Sequence, residues 1–162
     1  FINGILVAEN GVSKITAPKA GIINNFNCSK KMVSDFSYKK NDAEDLTIIE
    51  ALDGQLITYK ILGKPLLVQR TPHGKNGFYV SDVENDILKI AVVNRYKDAP
   101  VAIGFIKNFG LKKGAIASSV AHDSHNILAV ASDDESLCKA VNLLIENKGG
   151  VSCVNESVEM IL

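Results

Sequence analysis

Two of the three histidines in this 162-residue chain fall within six residues, in the string Ala121-His122-Asp123-Ser124-His125-Asn126. No other segment concentrates so many side chains able to act as acid, base, ligand or hydrogen-bond partner. Asp, Ser and Asn also suit turns, so the bland reading of the same string is a polar hairpin turn. The spacing limits the chemistry further. Ser118 and His122 are four residues apart, roughly 13 Å along a straight strand, whereas a nucleophile and its base must be about 3 Å apart. With no G-x-S-x-G elbow in the chain, a serine hydrolase dyad built on Ser118 or Ser119 is rejected. Three metal ligands from His122, Asp123 and His125 would crowd a four-residue turn, and the third histidine, His73, is distant in sequence. The zinc-deaminase signature H-x-E with P-C-x-x-C, the P-loop and G-x-G-x-x-G are all absent.

The elements that must position this turn are legible as patterns. Residues 114–120 and 127–131 read as two strands flanking it. Along the first, alternation places Ala115, Ala117, Ser119 and Ala121 on one nearly bare face, against which a helix or another backbone must pack closely. A helix is expected over about 133–147. Ser132 and Glu135 would form its capping box, Leu137, Val141, Leu144 and Ile145 its apolar side, and Gly149-Gly150 its stop. Upstream, residues 46–52 and 55–62 read as strands about an Asp53-Gly54 turn, and 86–95 as a strand. Asp98 and Pro100 suit the start of a short helix over about 100–108. Residues 63–77 form a loop containing His73, and 151–154 a closing strand. The expected class is α+β, mostly antiparallel strands with one long and one short helix.

Composition bounds the rest. Apolar residues make up 46% and charged residues 22% of the chain, which excludes disorder and collagen-like repeats. A chain of this length buries roughly 70% of its unfolded surface, enough for a core without staples. Eighteen basic against eighteen acidic side chains argue against nonspecific nucleic-acid binding. No apolar run approaches the ~18 residues that span a bilayer. Cys28, Cys138 and Cys153 are widely spaced and odd in number, which fits a reduced, cytoplasmic setting. The chain starts at Phe1, already in a strand pattern with Asn3-Gly4 as a turn, and ends in mid-pattern. A fragment of a longer chain is expected.

The run Gly114-Ala-Ile-Ala-Ser-Ser-Val-Ala-His-Asp-Ser-His-Asn126 closely resembles the C-terminal part of the bacterial and archaeal adenine deaminases of the amidohydrolase superfamily. Residues 1–11, 86–95, 104–114 and 132–150 are similar to other family segments in the same order. One departure is local: an Asp-Arg-His-like string of the family is here Asn94-Arg95-Tyr96. The resemblance implies hydrolysis of the 6-amino group of adenine to give hypoxanthine and ammonia. It implies divalent metals, manganese or iron, held in an upstream (β/α)₈ barrel by ligands outside this chain, and a metal-activated water. By the same resemblance, residues 1–12 are the tail of the β-domain framing that barrel, 13–44 a loop-rich connector and 45–162 the C-terminal α+β domain. Adenine and the barrel are the implied partners, with no nucleic acid or membrane, and a homo-oligomer is expected. His122, Asp123 and His125 are the implied catalytic groups, and Ser118, Ser119 and Asn126 the substrate-binding ones. The competing role for the same residues is to pin a noncatalytic stabilising domain to the barrel.

Overall fold

The computed structural model describes residues 1–16, 25–39, 45–68 and 77–162. His73 and most of its loop, and the connector residues 17–24 and 40–44, lie outside the described residues. In chain order the strands are β1 (Ala8–Glu9), β2 (Val12–Ser13), β3 (Tyr38–Lys39), β4 (Leu46–Ala51), β5 (Thr58–Gly63), β6 (Leu66–Val68), β7 (Phe78–Val80), β8 (Ile87–Val93) and β9 (Ala102–Lys107). They continue as β10 (Ala115–Ser118) and β11 (Ile127–Ala131). After the helix α1 (Asp134–Asn147) come β12 (Val151–Val154) and β13 (Glu159–Ile161). A 3₁₀ turn covers Val33–Phe36.

Eight strands form one sheet in the order β13-β12-β10-β11-β8-β9-β4-β5. Every neighbouring pair is antiparallel except β4 and β9, which run parallel through Ile48↔Phe105 and Ile49↔Ile106. The helix lies across one face. Leu137, Ala140, Val141 and Leu144 are fully buried there against Ala115, Ala117, Ala129 and Ala131. The bare alanine face thus exists because a helix must approach it closely. Further along the same face, Ile48 and Phe105 meet the small sheet β3-β7-β6, where Tyr38 stands edge-on to Phe105 at 5.7 Å between centroids.

Residues 66–68, expected within a loop over 63–77, form the strand β6, and two further sequence expectations do not hold. The segment expected as a short helix over 100–108 is the strand β9, so the chain is mostly β with a mixed sheet and a single α-helix among the described residues. In Val101-Ala-Ile-Gly-Phe-Ile-Lys the buried Phe105 faces the helix side, and Gly104 sits over Ile90. Paired on both sides by β8 and β4, this backbone gains more from two ladders than an isolated short helix with a central glycine could supply. Asp98 therefore caps no helix. Its carboxylate accepts from the Ser29 backbone N–H (2.7 Å), the Ser29 hydroxyl (2.8 Å) and Lys31 (3.2 Å). The Ser29 hydrogen bonds, more than the lysine charge, hold its pKa below the ordinary carboxylate value.

The second correction concerns the α1 cap. Asp133, not Ser132, is the N-cap, accepting from Ser136 N–H at 2.7 Å. Ser132 instead donates to the Gly114 carbonyl at 3.1 Å and so ties the helix entrance to β10. Gly114 has φ +80°, and a Cβ there would lie 2.0 Å from the Val154 carbonyl oxygen. Gly114→Ala combines left-handed strain with a backbone clash, together about 2–4 kcal/mol. It is expected to lower Tm by roughly 5–10 °C in a thermal melt.

Candidate functional site

The turn joining β10 to β11 carries the histidine pair. Its backbone closes through His125 N–H to the Ala121 carbonyl (2.8 Å) and Ser124 N–H to the His122 carbonyl (3.1 Å). Asp123 (φ +70°) and His125 (φ +49°) both occupy the left-handed region. Asp and His enter that region more readily than most side chains, at a cost of order 1 kcal/mol each. Strained residues that a tight turn could replace with glycine are a reason to look for a role outside the turn.

His122 Nδ1 lies 3.0 Å from Asp123 Oδ1, and these side chains are 96% and 93% exposed. His125 and Ser124 are exposed as well. The turn therefore brings an imidazole and a carboxylate together at its tip and presents them outward. It does not gather all the residues singled out from the sequence. Ser119 is buried on the helix side, where its hydroxyl accepts from Gly150 N–H at 3.0 Å and its own N–H donates to the Gly150 carbonyl. Ser118 is half-buried on the opposite face, its hydroxyl accepting from Val120 N–H. Asn126 is half-buried, and its Oδ1 is a buried acceptor with no hydrogen-bond partner among the described residues.

The support beneath the turn was not among the sequence-derived site residues. Tyr96 Oη donates to the Ser124 carbonyl at 2.9 Å. The Arg95 guanidinium lies 5.0 Å from the Phe26 ring centre and 4.9 Å from that of Tyr96, and its Nη2 donates to Tyr96 Oη at 3.3 Å. Asn94 Oδ1 accepts from the backbone N–H groups of Tyr96 and Lys97, fixing the corner from which both side chains rise. The departure Asn94-Arg95-Tyr96 was the available signal, since it abuts a strand end on the neighbouring strand β8. Tyr96→Phe removes one hydrogen bond to the turn, worth about 1 kcal/mol. Amide exchange at 122–126 is expected to rise severalfold while the β8 and β11 amides stay protected. Unchanged exchange at 122–126 would show that Tyr96 does not hold the turn.

Among the described residues no three His, Cys, Asp or Glu side chains are placed to hold a metal ion between them. No helix of the described residues is long and apolar enough to cross a membrane.

The family model described as "Adenine deaminase C-terminal domain" matches residues 67–162. Across the whole chain there is 45% identity to the adenine deaminase of Borreliella burgdorferi, over 163 residues covering 100% of this chain and 28% of that protein. The adenine deaminase of Methanosarcina mazei is 45% identical over 94% of this chain and 28% of its own length. That of Salinibacter ruber is 37% identical over 99% of this chain and 28% of its own length. The chain thus spans little more than a quarter of the curated relatives it matches. On the match over 67–162 and the identity along its whole length, the chain belongs to the adenine deaminase C-terminal domain family.

Proposed function

We propose that this chain is the C-terminal portion of an adenine deaminase and that the turn over 121–126 covers the purine site of the full polypeptide. The reading is supported chiefly by one observation: the turn's two imidazoles and one carboxylate are exposed, with His122 and Asp123 bonded only to each other in the described contacts. Side chains that brace nothing else among the described residues are available to a ligand outside them. Adenine offers ring nitrogens as acceptors and an exocyclic amino group as donor. The imidazole N–H groups of His122 and His125 complement the first, and the Asp123 carboxylate and Asn126 amide complement the second.

In the proposed reaction a water oxygen bonds to the purine carbon bearing the amino group, the ring carbon–nitrogen π bond at that carbon opens, and its ring nitrogen takes one of the water's two protons. The exocyclic carbon–nitrogen bond then breaks, and nitrogen leaves as ammonia once it has taken a proton. His122, oriented by Asp123, delivers that proton, and the attacking water's other proton restores it. A divalent metal, manganese or iron, is proposed to be held by residues outside this chain, where it would activate the water. Ser119 contributes by fixing the root of β10 to Gly150, and Ser118 by closing the strand end at Val120. A cytoplasmic setting and homo-oligomeric assembly complete the proposal. Three free cysteines fit a reducing compartment.

The test replaces residues 121–125 by a two-residue Asn-Gly turn in the full polypeptide, which sets Val120 opposite Asn126 and so keeps the Ser118↔Leu128 register of the β10–β11 hairpin. Adenine hydrolysis, followed as hypoxanthine and ammonia formed, is expected to fall at least a hundredfold with the melting of this domain preserved. Activity within threefold of the parent would leave the turn a docking or structural element.

A further inference from the structure

Among the described residues, α1 and the small sheet cover one face of the large sheet. On the other face, the turn over 82–86 and the loop near Leu111 shelter Leu88, Ile106 and Val130 at one end. The rest is open. One row across it reads Val151, Ser118, Leu128, Val92 and Ala102, by the pairings of β12, β10, β11, β8 and β9. The adjacent row reads Met160, Cys153, Ile116, Val130, Ile90 and Gly104. Neither row contains Asp, Glu, Lys, Arg or His. Val92, Ile116 and Leu128 are each 37% exposed, Val151 38% and Met160 54%.

An antiparallel sheet with one face in water alternates apolar inside and polar outside, whereas a sheet covered on both sides is apolar on both. These strands follow the second pattern, and a contiguous uncharged patch of this kind marks an interface. Its occupant follows from two facts. The relatives are more than three times as long as this chain, so most of such a polypeptide lies outside these residues. The open row also runs directly into the candidate site: Val120, 67% exposed, is next in the alternation after Ser118, and the histidine turn begins beyond it. A surface that seats the turn against a purine must lie beside this row. A second copy of the chain seated here would close that approach instead.

We infer that the open face of the large sheet, centred on Val92, Ile116 and Leu128, docks in cis on the part of the deaminase polypeptide that this chain does not span. The inference rests on the proposed function for the identity of that polypeptide. Cys153, exposed in the second row, is a built-in reporter, while Cys28 and Cys138 are buried. In the full polypeptide, thiol labelling of Cys153 by a maleimide, read by peptide mass spectrometry, is expected to be at least tenfold slower than in the urea-unfolded polypeptide. Leu128→Glu is expected to return it to within threefold of the unfolded rate while Cys28 and Cys138 stay protected. Should Leu128→Glu expose those two as well, it has unfolded the domain, and Val92→Lys takes its place.

Labelling of Cys153 within threefold of the unfolded rate in the parent polypeptide would overturn the inference. So would protection that survives both Leu128→Glu and Val92→Lys in a folded domain. Protection lost on dilution, together with dissociation of a dimer in light scattering, would assign the face to a second copy and equally overturn it. None of these readouts depends on turnover. An active variant lacking the histidine turn but with Cys153 protected would sink the proposed function and leave the docking face standing.

Discussion

His122→Ala in the full polypeptide is expected to lower kcat/KM for adenine at least a hundredfold. General acid–base catalysis by a positioned side chain contributes about 10²–10⁴ in rate, and His122 is the imidazole with a carboxylate 3.0 Å from Nδ1 to orient it. Asp123→Asn keeps the shape of the turn but removes the charge that stabilises a protonated imidazole, so a smaller loss, about tenfold, is expected. On its proposed role of binding the purine, His125→Ala is expected to act mainly on KM. The stability readout separates these roles from a structural one. His122 and Asp123 are almost fully exposed, so both substitutions should leave Tm within about 1 °C, as surface changes do. A kcat/KM within threefold of the parent, accompanied by a lowered Tm, would instead assign the pair to holding the domain in place.

The largest stability effect is expected away from the turn. Lys89 and Asp134 are 1% and 6% exposed, with Lys89 Nζ 2.5 Å from Asp134 Oδ1 and 2.9 Å from the Phe36 carbonyl. This one ammonium joins β8, the first turn of α1 and the 3₁₀ turn over Val33–Phe36. Lys89→Ala removes the ammonium that faces the buried Asp134 carboxylate, and breaking a buried pair from one side costs about 3–5 kcal/mol. A Tm decrease of roughly 10–15 °C is expected for a domain of this size. Replacing both partners, Lys89→Met with Asp134→Leu, removes the carboxylate as well and should recover most of that loss. A double-mutant cycle in urea checks this. A single substitution costing under 1 kcal/mol would show that water reaches the pair.

Local chemistry was enough to read several parts of this molecule. The Asn3-Gly4 turn is closed by the Ile2–Ile5 bridge, and the strands over 127–131 and 151–154 stand where they were expected, although 151–154 does not close the fold, since β13 follows it and pairs with it. The helix expected over about 133–147 spans Asp134–Asn147, because Leu137, Val141 and Leu144 recur at helical spacing and are buried, with Ile145 half-buried beside them. The bare face of Ala115 and Ala117 implied a close neighbour, and that neighbour is α1. The clustering of His122, Asp123 and His125 in a turn is likewise a matter of adjacency along the chain.

What adjacency does not carry is the choice among distant partners. Residues 102–107 have helix-compatible flanks. They become β9 because β8 and β4 offer backbone groups on both sides, and the β4 partner is more than fifty positions away. Asp98 and Ser132 have the right side chains for helix caps, but they bond instead to Ser29 and Gly114, each brought close by the sheet. Lys89 sits in an apolar run where no local pattern announces a buried cation, since its carboxylate arrives from another element. Ser119 turns inward to Gly150 while His122 turns outward, a difference set by which sheet face the helix covers. Periodicity depends on neighbours within a few residues, whereas pairing depends on which segments meet after long loops close, and that is settled by the packing of the whole chain.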